Sequence, residues 1–224
     1  MSKGLIIVAD RCMGCHTCFT VCKEENQVAP NVQWNHVERV EHEKAGIIDY
    51  FRVSCMHCDD PACLKVCPMK AIYKGPNGEV LVDDQKCIGC HMCEKACPYH
   101  APKFADPGKM SYFGDKASLS TVGTRPENKR TPGKAEHCTL CVHRTSKGLL
   151  PACAAACPAG AIVYVDYDNP TPEAIKLIKR AQPINEAAGT HPKVRFVSSL
   201  TDFRVLDIKA YCQIFLRTSA DRSS

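Results

Sequence analysis

The sequence predicts an α+β protein built from two small modules, each wrapped around clustered cysteines. One module is inserted in the other, and long loops connect them. Two observations carry that expectation. Of the 224 residues 17 are Cys, and all but one of these fall into four tight groups. Between the second and third groups the chain reads as strand, turn and strand, too short for anything but a small sheet.

Composition narrows the class first. Hydrophobic residues make up 45% and charged ones 24%, which fits a folded chain and not a disordered tail. Residues 1–10 (MSKGLIIVAD) hold an apolar run from Leu5 to Ala9, too short for a signal-peptide core. Residues 148–165 (GLLPACAAACPAGAIVYV) carry no charge but hold two Pro and two Gly, so no direct membrane span is expected there.

The groups have distinctive spacings. Cys12, Cys15, Cys18 and Cys22 read C-x2-C-x2-C-x3-C. Cys55, Cys58, Cys63 and Cys67 read C-x2-C-x4-C-x3-C-P. Cys87, Cys90, Cys93 and Cys97 read C-x2-C-x2-C-x3-C-P. Cys138, Cys141, Cys153 and Cys157 read C-x2-C-x11-C-x3-C-P. Three thiolates on one short loop wrap one cubane, and the fourth Cys, three residues on in a helix, points to a neighbouring one. Pro68, Pro98 and Pro158 then interrupt that helix. Disulfides would not need four near-copies of one spacing, and zinc sites use pairs of C-x2-C with no tight third Cys. Four [4Fe–4S] clusters are therefore expected, with these sixteen Cys as iron ligands. Cys212 is left over and reads as an inert thiol.

Charge fits this expectation. The formal net charge is +5. Four clusters with their thiolates bring about −8, so the excess of Lys and Arg offsets cluster charge and gives no motive for nucleic-acid binding.

The crossed rule pairs the groups. Ala71–Tyr73 and Val80–Val82 read as strands around the turn Pro76-Asn77-Gly78, the middle of a two-cluster ferredoxin. Residues 55–97 thus form an inner ferredoxin-like module, in which Cys55, Cys58 and Cys63 take Cys97, while Cys87, Cys90 and Cys93 take Cys67. The first and fourth groups pair across the chain. Cys12, Cys15 and Cys18 take Cys157, and Cys138, Cys141 and Cys153 take Cys22. This outer module spans residues 1–54 and 138–165.

Outside the groups the signals are weaker. Tyr50–Val53, Ala161–Tyr167 and Lys193–Val197 read as strands. Thr171 caps a helix with Pro172 in its first turn, running to about Ala181. Residues 98–137 hold five Pro, four Gly and an excess of basic residues, the composition of a surface loop that contacts a partner. Residues 166–224 form a C-terminal extension whose last part shows no clear period. His16, His57, His91 and His137 lie within or beside the cysteine loops, surplus as ligands but placed to tune cluster potentials. Lys23, Lys65 and Lys95 adjoin ligands and are candidates to balance charge. Trp34 lies apart from the groups. No phosphate loop, Ser/His/Asp set or carboxylate pair stands out, so the chain is not expected to catalyse on its own.

The stretches CMGCHTCFTVCKEEN, VSCMHCDDPACLKVCPMKAIY, DDQKCIGCHMCEKACPYHAPKF and HCTLCVHRTSKGLLPACAAACPAGAIV, within about residues 5–165, resemble a known family. It is the four-cluster iron–sulfur subunits of the molybdopterin oxidoreductases of the dimethyl-sulfoxide-reductase superfamily. The stretches NQVAPNVQWNHVERVE and EAAGTHPKVRFV resemble the branch serving respiratory arsenate, polysulfide, thiosulfate and tetrathionate reductases, arsenate foremost. The resemblance implies a large molybdopterin catalytic partner and a membrane anchor or quinol-linked cytochrome as the other redox partner. It also implies co-export to the periplasm with a partner that carries a twin-arginine signal. The rival reading is an electron-transfer subunit of a cytoplasmic hydrogenase, carbon-monoxide dehydrogenase or formate dehydrogenase complex.

Overall fold

The computed structural model describes residues 2–109 and 131–206. Cys212, and the middle of the 98–137 segment, lie outside the described residues. The elements in chain order are β1 (Lys3–Val8), α1 (Thr17–Asn26), β2 (Asn35–His42), β3 (Ile47–Ser54), α2 (Ala62–Lys65), β4 (Ile72–Lys74), β5 (Val80–Val82), α3 (Met92–Ala96) and β6 (Lys103–Phe104). There follow β7 (Ala135–Glu136), α4 (Val142–Thr145), α5 (Ala152–Ala155), β8 (Ile162–Asp166), α6 (Pro172–Arg180) and β9 (Val194–Val197). The fold is thus mixed α+β, with short helices and small sheets.

The apolar run near the N-terminus is the centre of the largest sheet. β1 pairs antiparallel with β8 and parallel with β9, in the order β8–β1–β9. Leu5, Ile6 and Ile7 are fully buried, so β1 is covered on both faces, which accounts for its unbroken apolar sequence. Gly4 admits a close approach: a Cβ there would stand 2.2 Å from the Lys193 carbonyl oxygen. Two-stranded ribbons β2–β3, β4–β5 and β6–β7 complete the strands among the described residues.

β3 carries Phe51 into the core, where its ring meets Phe196 at 5.9 Å and Phe203 at 5.0 Å, both edge-on. The residues that follow β9 are clasped to the same ribbon. Ser198 and Thr201 hydroxyls donate to Asp49 Oδ2 at 2.6 and 2.5 Å.

Helix lengths follow proline. α2, α3 and α5 have four or five residues and end before Pro68, Pro98 and Pro158. The first group has no such proline, and α1 runs for ten residues through Cys22 to Asn26. Thr171 caps α6 as its sequence predicts, accepting from the Ala174 N–H at 3.2 Å, with Pro172 in the first turn.

Candidate iron–sulfur sites

The cysteine loops share a backbone device. The residue two after the first Cys has a positive φ in every loop: Gly14 (71°), His57 (46°), Gly89 (71°) and Leu140 (51°). This left-handed step turns the chain so that successive sulfurs face inward. At Gly89 only glycine fits, since a Cβ would stand 2.4 Å from the Gly133 carbonyl oxygen.

A second device follows the groups that end in C-P. Lys70, His100 and Gly160 are left-handed. The next N–H donates back to the sulfur: Ala71 to Cys67 Sγ at 3.3 Å, Ala101 to Cys97 Sγ at 3.5 Å, and Ala161 to Cys157 Sγ at 3.3 Å. The repeat C-P-x-x-A is plain in the sequence, and the three alanines are functional positions that the cysteine spacing alone does not reveal. In the first group a side chain does this work. Asn26 Nδ2 donates to Cys22 Sγ at 3.5 Å and lies 3.9 Å from Cys141 Sγ.

The sulfurs gather in four sets. Cys67, Cys87, Cys90 and Cys93 line one cavity. Cys55, Cys58, Cys63 and Cys97 line a second, which Thr190 and His137 also reach. Cys12, Cys15, Cys18 and Cys157 line a third, which Arg52 also reaches. Cys22, Cys138, Cys141 and Cys153 are mutual electrostatic neighbours. Each set draws three sulfurs from one loop and one from elsewhere in the chain. Among the described residues no three His, Cys, Asp or Glu side chains converge on a single-ion position; the sulfurs stand around a space instead.

Electrostatic influence between neighbouring thiols orders the sets. Cys93 acts on Cys63, Cys138 on Cys55, and Cys153 on Cys18. The sets containing Cys87, Cys55, Cys138 and Cys12 are therefore successive neighbours. Cys90 and Cys15, in the first and the last of them, are exposed.

Burial dominates the chemistry of these thiols. It pushes Cys18, Cys58 and Cys93 up to about 11, and Cys63 and Cys141 up to about 12. Without a cation to replace their protons these groups stay neutral at pH 7, and a thiophilic cationic centre is what turns them into thiolates. Inward sulfurs around enclosed spaces, with N–H donors aimed at them, fit a [4Fe–4S] cluster in each set.

The other residues singled out in the sequence take varied places. His57 is fully buried; its Nδ1 accepts from the Val80 N–H at 3.0 Å, which puts its proton on Nε2. His137 is buried, with Nδ1 2.8 Å from the Cys138 carbonyl oxygen. His91 is at the surface, stacked on Phe104 at 3.7 Å and paired with Glu94. Lys23 donates to the carbonyls of Ala29 and Pro30, and Lys65 pairs with Asp60 at the surface. Trp34 is buried, its Nε1–H donating to Glu136 at 2.9 Å. A cation that does lie among the sulfurs is Arg52, which sequence reasoning missed: it sits in a strand, outside every cysteine motif.

The chain matches the 4Fe-4S dicluster domain over residues 47–113 and 124–167. It is 33% identical to the arsenate respiratory reductase iron–sulfur subunit ArrB of Shewanella sp. (strain ANA-3), across 89% of this chain and 97% of that one. This protein belongs to the dicluster iron–sulfur subunits of the dimethyl-sulfoxide-reductase family. Other members of this family are similar at comparable levels. A subunit of the selenate reductase of Mesobacillus selenatarsenatis is 33% identical, over 87% of this chain and 71% of that one. A component of the anaerobic dimethyl sulfoxide reductase of Escherichia coli (strain K12) is 32% identical, over 74% of each. This family member is an iron–sulfur electron-transfer subunit, not a catalytic subunit, and its four cysteine groups are those of four [4Fe–4S] clusters. Among the described residues no helix is long and apolar enough to cross a membrane.

Proposed function

We propose that the chain relays electrons along four [4Fe–4S] clusters, between a quinone-linked or other redox partner and a large molybdopterin catalytic subunit. The partner reduces a small inorganic oxyanion or sulfur compound, arsenate first. The ligand sets are Cys67 with Cys87, Cys90 and Cys93; Cys97 with Cys55, Cys58 and Cys63; Cys22 with Cys138, Cys141 and Cys153; and Cys157 with Cys12, Cys15 and Cys18. The first two sets make a ferredoxin-like module over 55–97, inserted in a second made of 1–54 and 138–165. The observation that carries the reading is the succession of four neighbouring sulfur sets, with an exposed cysteine in the first and in the last. Similarity to the arsenate enzyme's subunit over nearly its full length supports the substrate class.

When bound, a [4Fe–4S] cluster takes up and releases one electron at a time. The chain's own residues supply the rest. The thiols hold the groups, the Ala71, Ala101 and Ala161 N–H groups and Asn26 favour added negative charge on the sulfurs, and burial excludes water. Export to the periplasm with a twin-arginine-signal partner completes the proposal.

Anaerobically purified protein should hold about 16 Fe per chain, with matching acid-labile sulfide. Cys157→Ser should damage the cluster of Cys12, Cys15 and Cys18 and spare that of Cys138, Cys141 and Cys153; the reverse spectroscopic result refutes the crossed sets. Driven by a reduced viologen, the copurified complex should reduce arsenate or a sulfur compound, and the isolated chain neither. Turnover confined to protons or carbon dioxide as acceptors, or to formate as a donor to oxidised viologen, points to the rival class of partner.

A further inference from the structure

Arg52 occupies an unusual position. It lies in β3 beside Phe51, and strand alternation sends the two side chains to opposite faces: Phe51 to the aromatic core, Arg52 to the sulfurs. It is 1% exposed. Nη1 donates to Ser54 Oγ at 2.8 Å, and Nη2 lies 3.8 Å from Cys138 Sγ. Nε has no hydrogen-bond partner. Among the described residues no carboxylate forms an ion pair with it; its electrostatic partners are Cys153, Cys138, Cys22 and Cys18. It also lines the cavity shared by Cys12, Cys15, Cys18 and Cys157.

A guanidinium stays charged at any physiological pH. Burying one without a counter-charge is strongly unfavourable, so a site that keeps it must bring negative charge of its own. The thiolates of two adjacent sets are the groups within reach.

We propose that Arg52 is the shared counter-charge of the two clusters held by Cys22, Cys138, Cys141 and Cys153 and by Cys12, Cys15, Cys18 and Cys157, and that it raises the reduction potential of both. The inference rests on the ligand sets proposed above. Its sign follows from electrostatics: reduction adds a negative charge to a group already negative, and a fixed positive charge in a dry site favours the more negative state. The effect is larger on the Cys138 set, whose sulfur the guanidinium touches. Arg52 touches the ligands without carrying the electron, so it is a potential-setting residue.

The test is a potentiometric titration of the full-length holoprotein, followed by electron paramagnetic resonance, for wild type, Arg52→Gln and Arg52→Lys. Signals are assigned with Cys157→Ser and Cys22→Ser. In Arg52→Gln the reduction equilibrium of the two outer-module clusters should fall at least tenfold, or 59 mV for a one-electron couple. The other two clusters should stay within threefold. Arg52→Lys keeps the charge without the fork and should hold all four within threefold. Unchanged potentials in Arg52→Gln, or an equal fall in all four, overturn the proposal. If Arg52→Gln assembles no outer clusters, Arg52→Lys decides: a tenfold fall there refutes a charge effect, and retention supports it. Iron and sulfide content is read separately, so a wild-type protein with fewer than four clusters would indict the ligand sets and not Arg52.

Discussion

Asn26 shows how one side chain replaces a backbone device. Where a proline follows the last Cys of a group, the helix stops and an alanine N–H turns back to the sulfur. Lys23 follows Cys22, so α1 continues, and no such N–H is free to turn. The Asn26 amide supplies the donor, reaching the Cys22 carbonyl at 3.1 Å and the sulfurs of Cys22 and Cys141. Asn26→Leu keeps the volume and removes the donor. It should cost about 1–3 kcal/mol, since the acceptors stay buried, and lower the potential of the Cys22 cluster alone. Thermal unfolding reads the first effect and a redox titration the second; a fall shared by all four clusters would contradict this local account.

The β2–β3 ribbon is the element that joins the site to the rest of the chain. One face of β3 holds the aromatic core, the other bears Arg52, and Asp49 on the same strand accepts from Ser198 and Thr201 and lies 3.3 Å from His42 Nε2. Burial pushes the Asp49 carboxyl up, but these hydrogen bonds together outweigh it and hold it below the usual carboxylate value. The folded value therefore lies under the unfolded one of about 3.9. Its stabilisation is present above that pH and fades as pH falls through the folded value. Asp49→Asn should lose about 1–3 kcal/mol at pH 7. Urea midpoints compared across pH should show a gap between the two proteins that narrows only below about pH 4. A gap that closes already at neutral pH would assign the clasp to some other group.

At the scale of the molecule, the four sulfur sets are successive neighbours, and the first and last each hold a cysteine at the surface, which suits a subunit standing between two redox partners. The 98–137 segment is the proposed partner contact. Its flanks are tied in: the Ala135 N–H donates to Cys87 Sγ at 3.4 Å, and the Lys134 ammonium to the Cys87 carbonyl. Deleting residues within 112–128 should leave iron content unchanged while weakening copurification with the catalytic subunit at least tenfold. Undiminished copurification would refute that role.

The sequence by itself determined the cofactor class and the family, because cluster ligation is encoded locally: thiols two or three residues apart, and a proline at the helix end. It also determined the elements with local signals. β5 spans the predicted Val80–Val82, and the Thr171-Pro172 start of α6 stands where its capping residues put it. Other elements have no such local mark. The run Leu5–Ala9 is visible in the sequence only as apolar, yet Leu5–Val8 lie in the middle strand between β8 and β9, a role set by partners far along the chain. Asn35–His42 is too charged to read as a strand; pairing with β3 makes it one. Only the tertiary structure decided that Thr190 reaches the Cys58 cavity, that the four sulfur sets neighbour one another in succession, and that an arginine from β3 reaches two of them. The reason is one of range. Ligand spacing is a property of neighbours in sequence, whereas the electrostatic field at a cluster sums over residues brought together by folding, and no local pattern records which they are.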